Sequence, residues 1–136
     1  MANGTIAFDT LTTSDSVNTG TEKSIDTSYI LNGVAKQWIH FNGSGTVAIV
    51  GSFNTTSITD NGTGDYQVTI ANDMANVGYS VSGTIAFNAT GTTSLPRQGP
   101  AVNEHATGSY QIYCGSNTTT MGDHAVINAQ TMGDLA

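Results

Sequence analysis

The sequence predicts an all-β fold, an antiparallel β-sandwich of jelly-roll-like form, and two observations lead to this prediction. Gly, Thr, Ser and Asn together make up 62 of the 136 residues. Thr is β-branched and favours strands, whereas Gly and Asn favour tight turns with positive φ. In addition, short apolar runs are separated by clusters of turn residues. Short strands joined by many turns are typical of a sandwich.

The chain is expected to have two parts. Residues 1–33 carry scattered apolar side chains between Thr, Ser, Asn and Asp, which predicts an extended N-terminal arm with one or two short extended segments. Residues 34–136 are expected to form the β-sandwich domain, whose C-terminal part is rich in loops. This domain includes a long loop at 89–108, which contains Pro96 and Pro100, and a Gly-rich C-terminal segment.

The strongest strand pattern lies at 36–88. The run Trp38–Phe41 is followed by the turn cluster Asn42–Gly45 and then by a second apolar run, Thr46–Val50. Two such runs across a Gly-rich connection predict a hairpin. Side chains alternate along a strand, so Trp38 and Phe41 are expected on opposite faces.

Further strands follow from the same alternation. Asp60–Asp65 is a dense turn cluster, after which apolar and polar residues alternate over Tyr66–Ile70. The alternation returns over Tyr79–Phe87. Ser109–Cys114 is a further strand candidate, and Ala125–Asn128 is a weaker one.

The charge of the chain limits its partners. The formal net charge is −7, and only Lys23, Lys36 and Arg97 are positive. This argues against nucleic-acid binding and against an anionic membrane surface, since both need a basic patch. The sequence has no apolar run near the ~18 residues of a membrane span and no signal-peptide pattern. We therefore expect a soluble protein that is made in the cytoplasm without export.

The residues that usually carry chemistry are few and dispersed. His40, His105 and His124 form no metal-binding spacing, and Cys114 has no cysteine to pair with. The cluster Asp60–Asp65 fails the EF-hand pattern, although another kind of ion site there remains open. We expect no catalytic residue, no metal site and no cofactor.

One stretch resembles a known module. The run Trp38–Ile49 is similar to a module of virion proteins in tailed phages, especially phages of marine bacteria. The most specific part of the whole resemblance is Thr59–Tyr66. The resemblance continues at Ser52-Phe53-Asn54, Ser57-Ile58, Met74 and Tyr79, with a leader at Gly4–Leu11.

The resemblance implies a β-rich structural protein without enzyme activity. The expected function is a homotrimeric fibre or tail-associated protein of the virion, with further copies of itself and other virion proteins as partners. A capsid decoration protein on the head surface is the alternative. Similar modules carry a charged residue after the Ala48-Ile49 pair, where this chain has Val50-Gly51, and this departure predicts a more buried position.

Aromatic side chains are the candidate contact residues. Five are expected to anchor the core or the interfaces between subunits: Trp38, Phe41, Phe53, Tyr66 and Tyr79. A carbohydrate-binding receptor module is a second class of function, in which Tyr110 and Tyr113, together with Trp38, would contact a host-surface glycan. A small enzyme is a third class, which would need His and carboxylate groups within hydrogen-bond distance.

Overall fold

The computed structural model describes residues 10–12, 24–86, 101–115 and 121–136, which belong to two units, 1–34 and 35–136. In the first unit, β1 (Thr10–Thr12) pairs antiparallel with β2 (Ser24–Asp26), and helix α1 (Thr27–Gly33) follows. The predicted arm has two short extended segments here, but residues 1–9 and 13–23 lie outside the described part.

Helix α1 was not predicted, because the composition disfavours helices. The helix begins at Thr27 and is capped by Asp26, whose carboxylate accepts a hydrogen bond of 2.8 Å from the backbone N–H of Ser28. Such a cap supplies an acceptor that the first turn otherwise lacks. No residue of α1 is buried within this unit.

The described residues of the second unit form eight strands. They are β3 (Ala35–Asn42), β4 (Ala48–Phe53), β5 (Thr55–Gly62), β6 (Asp65–Ile70), β7 (Ser80–Ala86), β8 (Ala101–Ala106), β9 (Ser109–Tyr113) and β10 (Val126–Met132). The first sheet has the strand order β4-β3-β10-β7 and the second has β5-β6-β9-β8. All neighbouring strands are antiparallel. The predicted antiparallel β-sandwich is confirmed.

Strands β5, β8 and β10 differ from the sequence prediction. No strand was predicted over Thr55–Gly62, where β5 lies. Strand β8 occupies part of the predicted loop 89–108, of which residues 89–100 lie outside the described part. Its alternation is interrupted by a register shift between Asn103 and Ala106, so it has no simple period. Strand β10 is longer than predicted and lies between β3 and β7. Its inward residues Ala129 and Thr131 are only weakly apolar, so the sequence pattern does not indicate that this strand lies in the middle of the sheet.

The core lies between the two sheets and follows the alternation along each strand. In β3, Ile39 and Phe41 are buried whereas Trp38 is exposed, so Trp38 and Phe41 lie on opposite faces, as predicted. In β6, Tyr66 is buried, and its ring meets that of Phe41 edge-to-face at 5.2 Å between centroids. Such aromatic pairs contribute stability beyond the area that they bury.

Polar side chains also cross the core. The hydroxyl of Tyr110 in β9 donates to Oε1 of Gln37 in β3 at 3.0 Å, and Nε2 of Gln37 donates to Oγ1 of Thr55 in β5 at 2.8 Å. Both Tyr110 and Gln37 are fully buried. These bonds join the first sheet to the second, and they satisfy an amide that would otherwise be costly to bury.

We expect Tyr110→Phe to lower the free energy of unfolding by about 1–3 kcal/mol, because Oε1 of Gln37 loses its donor inside the core. Tyr113→Phe is the matched control. The Tyr113 hydroxyl donates to Gln111 of the same strand, and its ring is only partly buried, so its loss should change stability by about 0.5 kcal/mol or less. Urea unfolding of both variants measures the difference. Equal losses would contradict the importance of the buried bond.

Candidate functional site

The outer face of the first sheet carries the most distinctive surface of the described residues. Across its four strands, Phe53, Trp38, Gln130 and Ser82 stand opposite one another and form one row. Trp38 is 43% exposed and Phe53 is 56% exposed. Two large aromatic residues are therefore paired across β3 and β4 on the surface, in a row that also contains a glutamine and a serine.

A second row runs beside the first. It consists of Gly51, His40, Asn128 and Thr84, again one residue from each strand. A β-carbon added to Gly51 would lie 3.5 Å from the Trp38 indole, so the ring packs against the glycine at ordinary contact distance. This packing holds the indole over β4 without covering it.

A groove opens along these rows. Its volume is about 400 Å³, and it lies over β3, β10 and β7. It is lined by Trp38, Ile39, Ser82, Gly83, Thr84, Asn128, Ala129 and Gln130. None of these lining residues is charged. Nδ2 of Asn128 and Nε2 of Gln130 donate to the hydroxyls of Thr84 and Ser82, each at 3.4 Å, which is long for a hydrogen bond.

Strand β4 carries further exposed apolar side chains, which we call the β4 edge patch and define as Ile49, Val50 and Phe53. Ile49 pairs with Phe41 and Phe53 pairs with Trp38, so the patch spans both faces of this edge strand. These side chains are 37%, 65% and 56% exposed. In the strand order of the described residues, β4 lies at the end of the first sheet, so it is bonded to β3 on one side only. An apolar edge strand of this kind favours association with another chain.

The exposure of Val50 corrects the prediction that this position is more buried. His40 pairs with Gly51 and Phe41 pairs with Ile49, so Val50 is the extra residue of a β-bulge. It has no partner on β3, and its side chain points away from the core. The sequence does not show the bulge, because the bulge depends on the register of two strands.

The five predicted anchors divide into two groups. Phe41, Tyr66 and Tyr79 are buried in the sandwich, whereas Trp38 and Phe53 are on the surface. The first three are therefore core residues. An interface role for Trp38 and Phe53 remains a prediction.

The predicted glycan contact at Tyr110 is wrong. Its ring is fully buried, and its hydroxyl is bonded to Gln37 across the core. Tyr113, three residues further along β9, is partly buried and bonded to Gln111. Its contact with a glycan stays a prediction. The sequence could not separate these two tyrosines by hydropathy alone, since only strand register decides which one faces inward.

One end of the sandwich is fastened by a carboxylate that the sequence analysis did not single out. The Tyr66 hydroxyl lies 2.7 Å from the carbonyl oxygen of Gly43 and 2.9 Å from Oδ1 of Asp123, both of which are acceptors. Oδ1 of Asp123 also accepts from the backbone N–H of Gly64 at 2.7 Å. Asp123 is distant in sequence from both partners, so no local pattern could reveal this role.

The cluster Asp60–Asp65 includes the end of β5, the turn at Thr63-Gly64 and the first residue of β6. Gly62 and Gly64 have positive φ angles of 137° and 67°, as the turn prediction requires. The carboxylate of Asp60 accepts from the N–H of Gly62 at 3.0 Å. Among the described residues, no group of three or more His, Cys, Asp and Glu side chains is placed to hold a metal ion.

The three histidines occupy different environments. His40 lies on the outer face of β3, and His124 is buried before β10. The ring of His105 stacks on that of Tyr79, with 4.8 Å between centroids and 8° between planes. Within the part of the chain that the structure describes, no helix has the length and hydropathy needed to cross a membrane.

Burial changes the acidity of several side chains. It raises the pKa of Tyr79 to about 12, and it raises the pKa values of Tyr66 and Tyr110 well above their ordinary range. Burial, aided by the charge of Asp123, also raises the pKa of Cys114 to about 12. The thiol therefore stays protonated at neutral pH, which makes it a poor nucleophile.

Comparisons of the chain with protein-family profiles, with curated proteins and with solved structures find no match.

The raised pKa of Tyr79 predicts how stability depends on pH. Between pH 10 and 12 the unfolded chain loses the tyrosine proton while the folded protein keeps it, so stability falls as pH rises. Tyr79→Phe should make this decline shallower by about 1.4 kcal/mol per pH unit. Denaturant unfolding from pH 7 to 12 measures the slope. Measurements below pH 9 are the control, because there the free energy of unfolding of the variant should change with pH as that of the wild type does. Parallel curves above pH 10 would contradict the prediction.

Proposed function

We propose that this chain is a non-enzymatic structural component of a tailed-phage virion, a homotrimeric fibre or tail-associated protein whose copies associate through the β4 edge patch. The observation that carries the proposal is the exposure of Ile49, Val50 and Phe53 on a strand at the end of its sheet. When a neighbouring subunit covers exposed apolar side chains of this size, the free energy of the system falls, which favours association.

The location of the patch supports the link with the resemblance. The stretch Trp38–Tyr79 that resembles the phage module includes most of β3 and all of β4, β5 and β6. The patch therefore lies inside this stretch. A capsid decoration protein would use the same patch for contacts on the head, so the patch supports association in either location.

The composition of the chain suits a particle that must keep its assembly in changing salt. Charged residues make up 10% of the sequence, and contacts between neutral Thr, Ser and Asn surfaces depend weakly on ionic strength. Low charge also lowers the cost of desolvation when subunits pack closely.

We expect the wild-type chain to be a trimer at micromolar concentration in light scattering coupled to size exclusion. Val50→Lys should weaken the association at least about tenfold, because the new charge loses its water in the interface. Val77→Lys is the matched control, since Val77 is 55% exposed and lies outside β4. A monomeric wild type, or equal dissociation of both variants, would contradict association through the patch.

The virion role has its own test. Particles from a lysate of the host that carries this gene are banded in a density gradient, and their proteins are identified by mass spectrometry. Peptides of this chain should band with the particles in stoichiometric amount. Gold-labelled antibody against the recombinant protein should then mark the tail, whereas labelling of the head would favour the decoration role. A chain that stays in the soluble fraction would overturn the proposal.

A further inference from the structure

The groove on the outer face of the first sheet differs in character from the β4 edge patch. Apart from Trp38, its exposed lining consists of amide and hydroxyl side chains from β10 and β7. We propose that this groove binds a neutral oligosaccharide, with Trp38 against the face of a sugar ring and Gln130 and Asn128 bonded to its hydroxyls. This binding activity goes beyond the structural role.

The polar atoms of the groove favour a ligand rich in hydroxyl groups. The amides of Asn128 and Gln130 each offer two N–H donors and one carbonyl acceptor. Their bonds to Thr84 and Ser82, at 3.4 Å, are long enough to be exchanged for better ones. A purely apolar partner would strip water from these groups and leave them unsatisfied, at a cost of free energy.

The absence of charged side chains from the groove favours neutral ligands over anionic ones. Its lining residues are all neutral, and the chain has a formal net charge of −7. An anionic glycan would meet a repulsive field and no basic partner in the groove. Neutral sugars have the hydroxyl groups that the amides need and an apolar ring face that suits the indole.

The dimensions of the groove fit a short saccharide. It extends from β3 across β10 to β7, and neighbouring strands lie roughly 4.8 Å apart, which gives a span of about 10 Å. That length accommodates about two sugar rings. Binding is expected to be weak for a single copy, with a Kd of about 0.1–1 mM, because one aromatic contact and a few hydrogen bonds form on an open surface.

Most of the groove lies apart from the β4 edge patch, although Phe53 of the patch pairs with Trp38 of the groove. Gln130, Asn128, Ser82 and Thr84 belong to β10 and β7, whereas the patch belongs to β4 at the other side of the sheet. A neighbouring copy seated on the patch leaves the β10 and β7 side chains accessible. Failure of one proposal therefore does not entail failure of the other.

Trp38 provides a direct readout, since it is the one tryptophan in the sequence. The full chain is titrated with maltohexaose, cellohexaose and N-acetylchitohexaose, with sialyllactose as the charged comparison. At least one neutral sugar should give a saturable change of tryptophan emission, and sialyllactose should give none. Gln130→Ala should weaken binding about tenfold while the emission spectrum of the free protein stays the same.

Gln67→Ala is the matched control, because Gln67 is a partly buried glutamine in β6 of the other sheet. It should bind as the wild type does. The oligomeric state of each variant is measured in the same samples by sedimentation. If no neutral sugar binds in the titration or on an array of neutral glycans, the proposal is overturned. It is also overturned if Gln130→Ala alters only the oligomeric state, since the groove would then be a contact between copies.

Discussion

The register of β3 is the constraint on which the rest of the structure depends. Its amide residue Gln37 lies inside the core, bonded to Tyr110 and Thr55 of the opposite sheet. A slip of one residue would turn this amide to solvent and bring Trp38 into the core. The buried hydrogen bonds therefore keep the indole outside, where it forms a wall of the groove. A polar group in the interior thus determines which surface the sheet presents.

Alternation within one strand could be predicted from the sequence, whereas relations between strands could not. The opposite faces of Trp38 and Phe41 follow from the period of two residues, and the structure confirms them. The bulge at Val50 and the burial of Tyr110 depend on pairing with distant residues, which a local pattern does not contain. The groove was missed for the same reason, because Gln130 meets Trp38 only through the pairing of β10 with β3.

Neutrality connects the two proposed surfaces. The β4 edge patch is apolar and suits another protein surface, whereas the groove has amides and hydroxyls that suit a hydrated partner. Neither depends on charge, so neither requires a particular ionic strength. In a trimer, three grooves would act together, and linked sites bind far more tightly than a single one. Weak binding by one copy is then compatible with firm attachment of a particle.

The position of β10 has a consequence for folding during synthesis on the ribosome. This strand fills the middle of the first sheet, yet it joins Trp38 of β3 across roughly ninety residues of chain. Until it emerges, Ile39 and Phe41 have no completed sheet around them, and contacts of such long range form slowly. The proposed association of copies through β4 needs a folded β3 beside it. Synthesis would therefore postpone the proposed self-association until β10 has been made, which protects nascent chains from premature pairing.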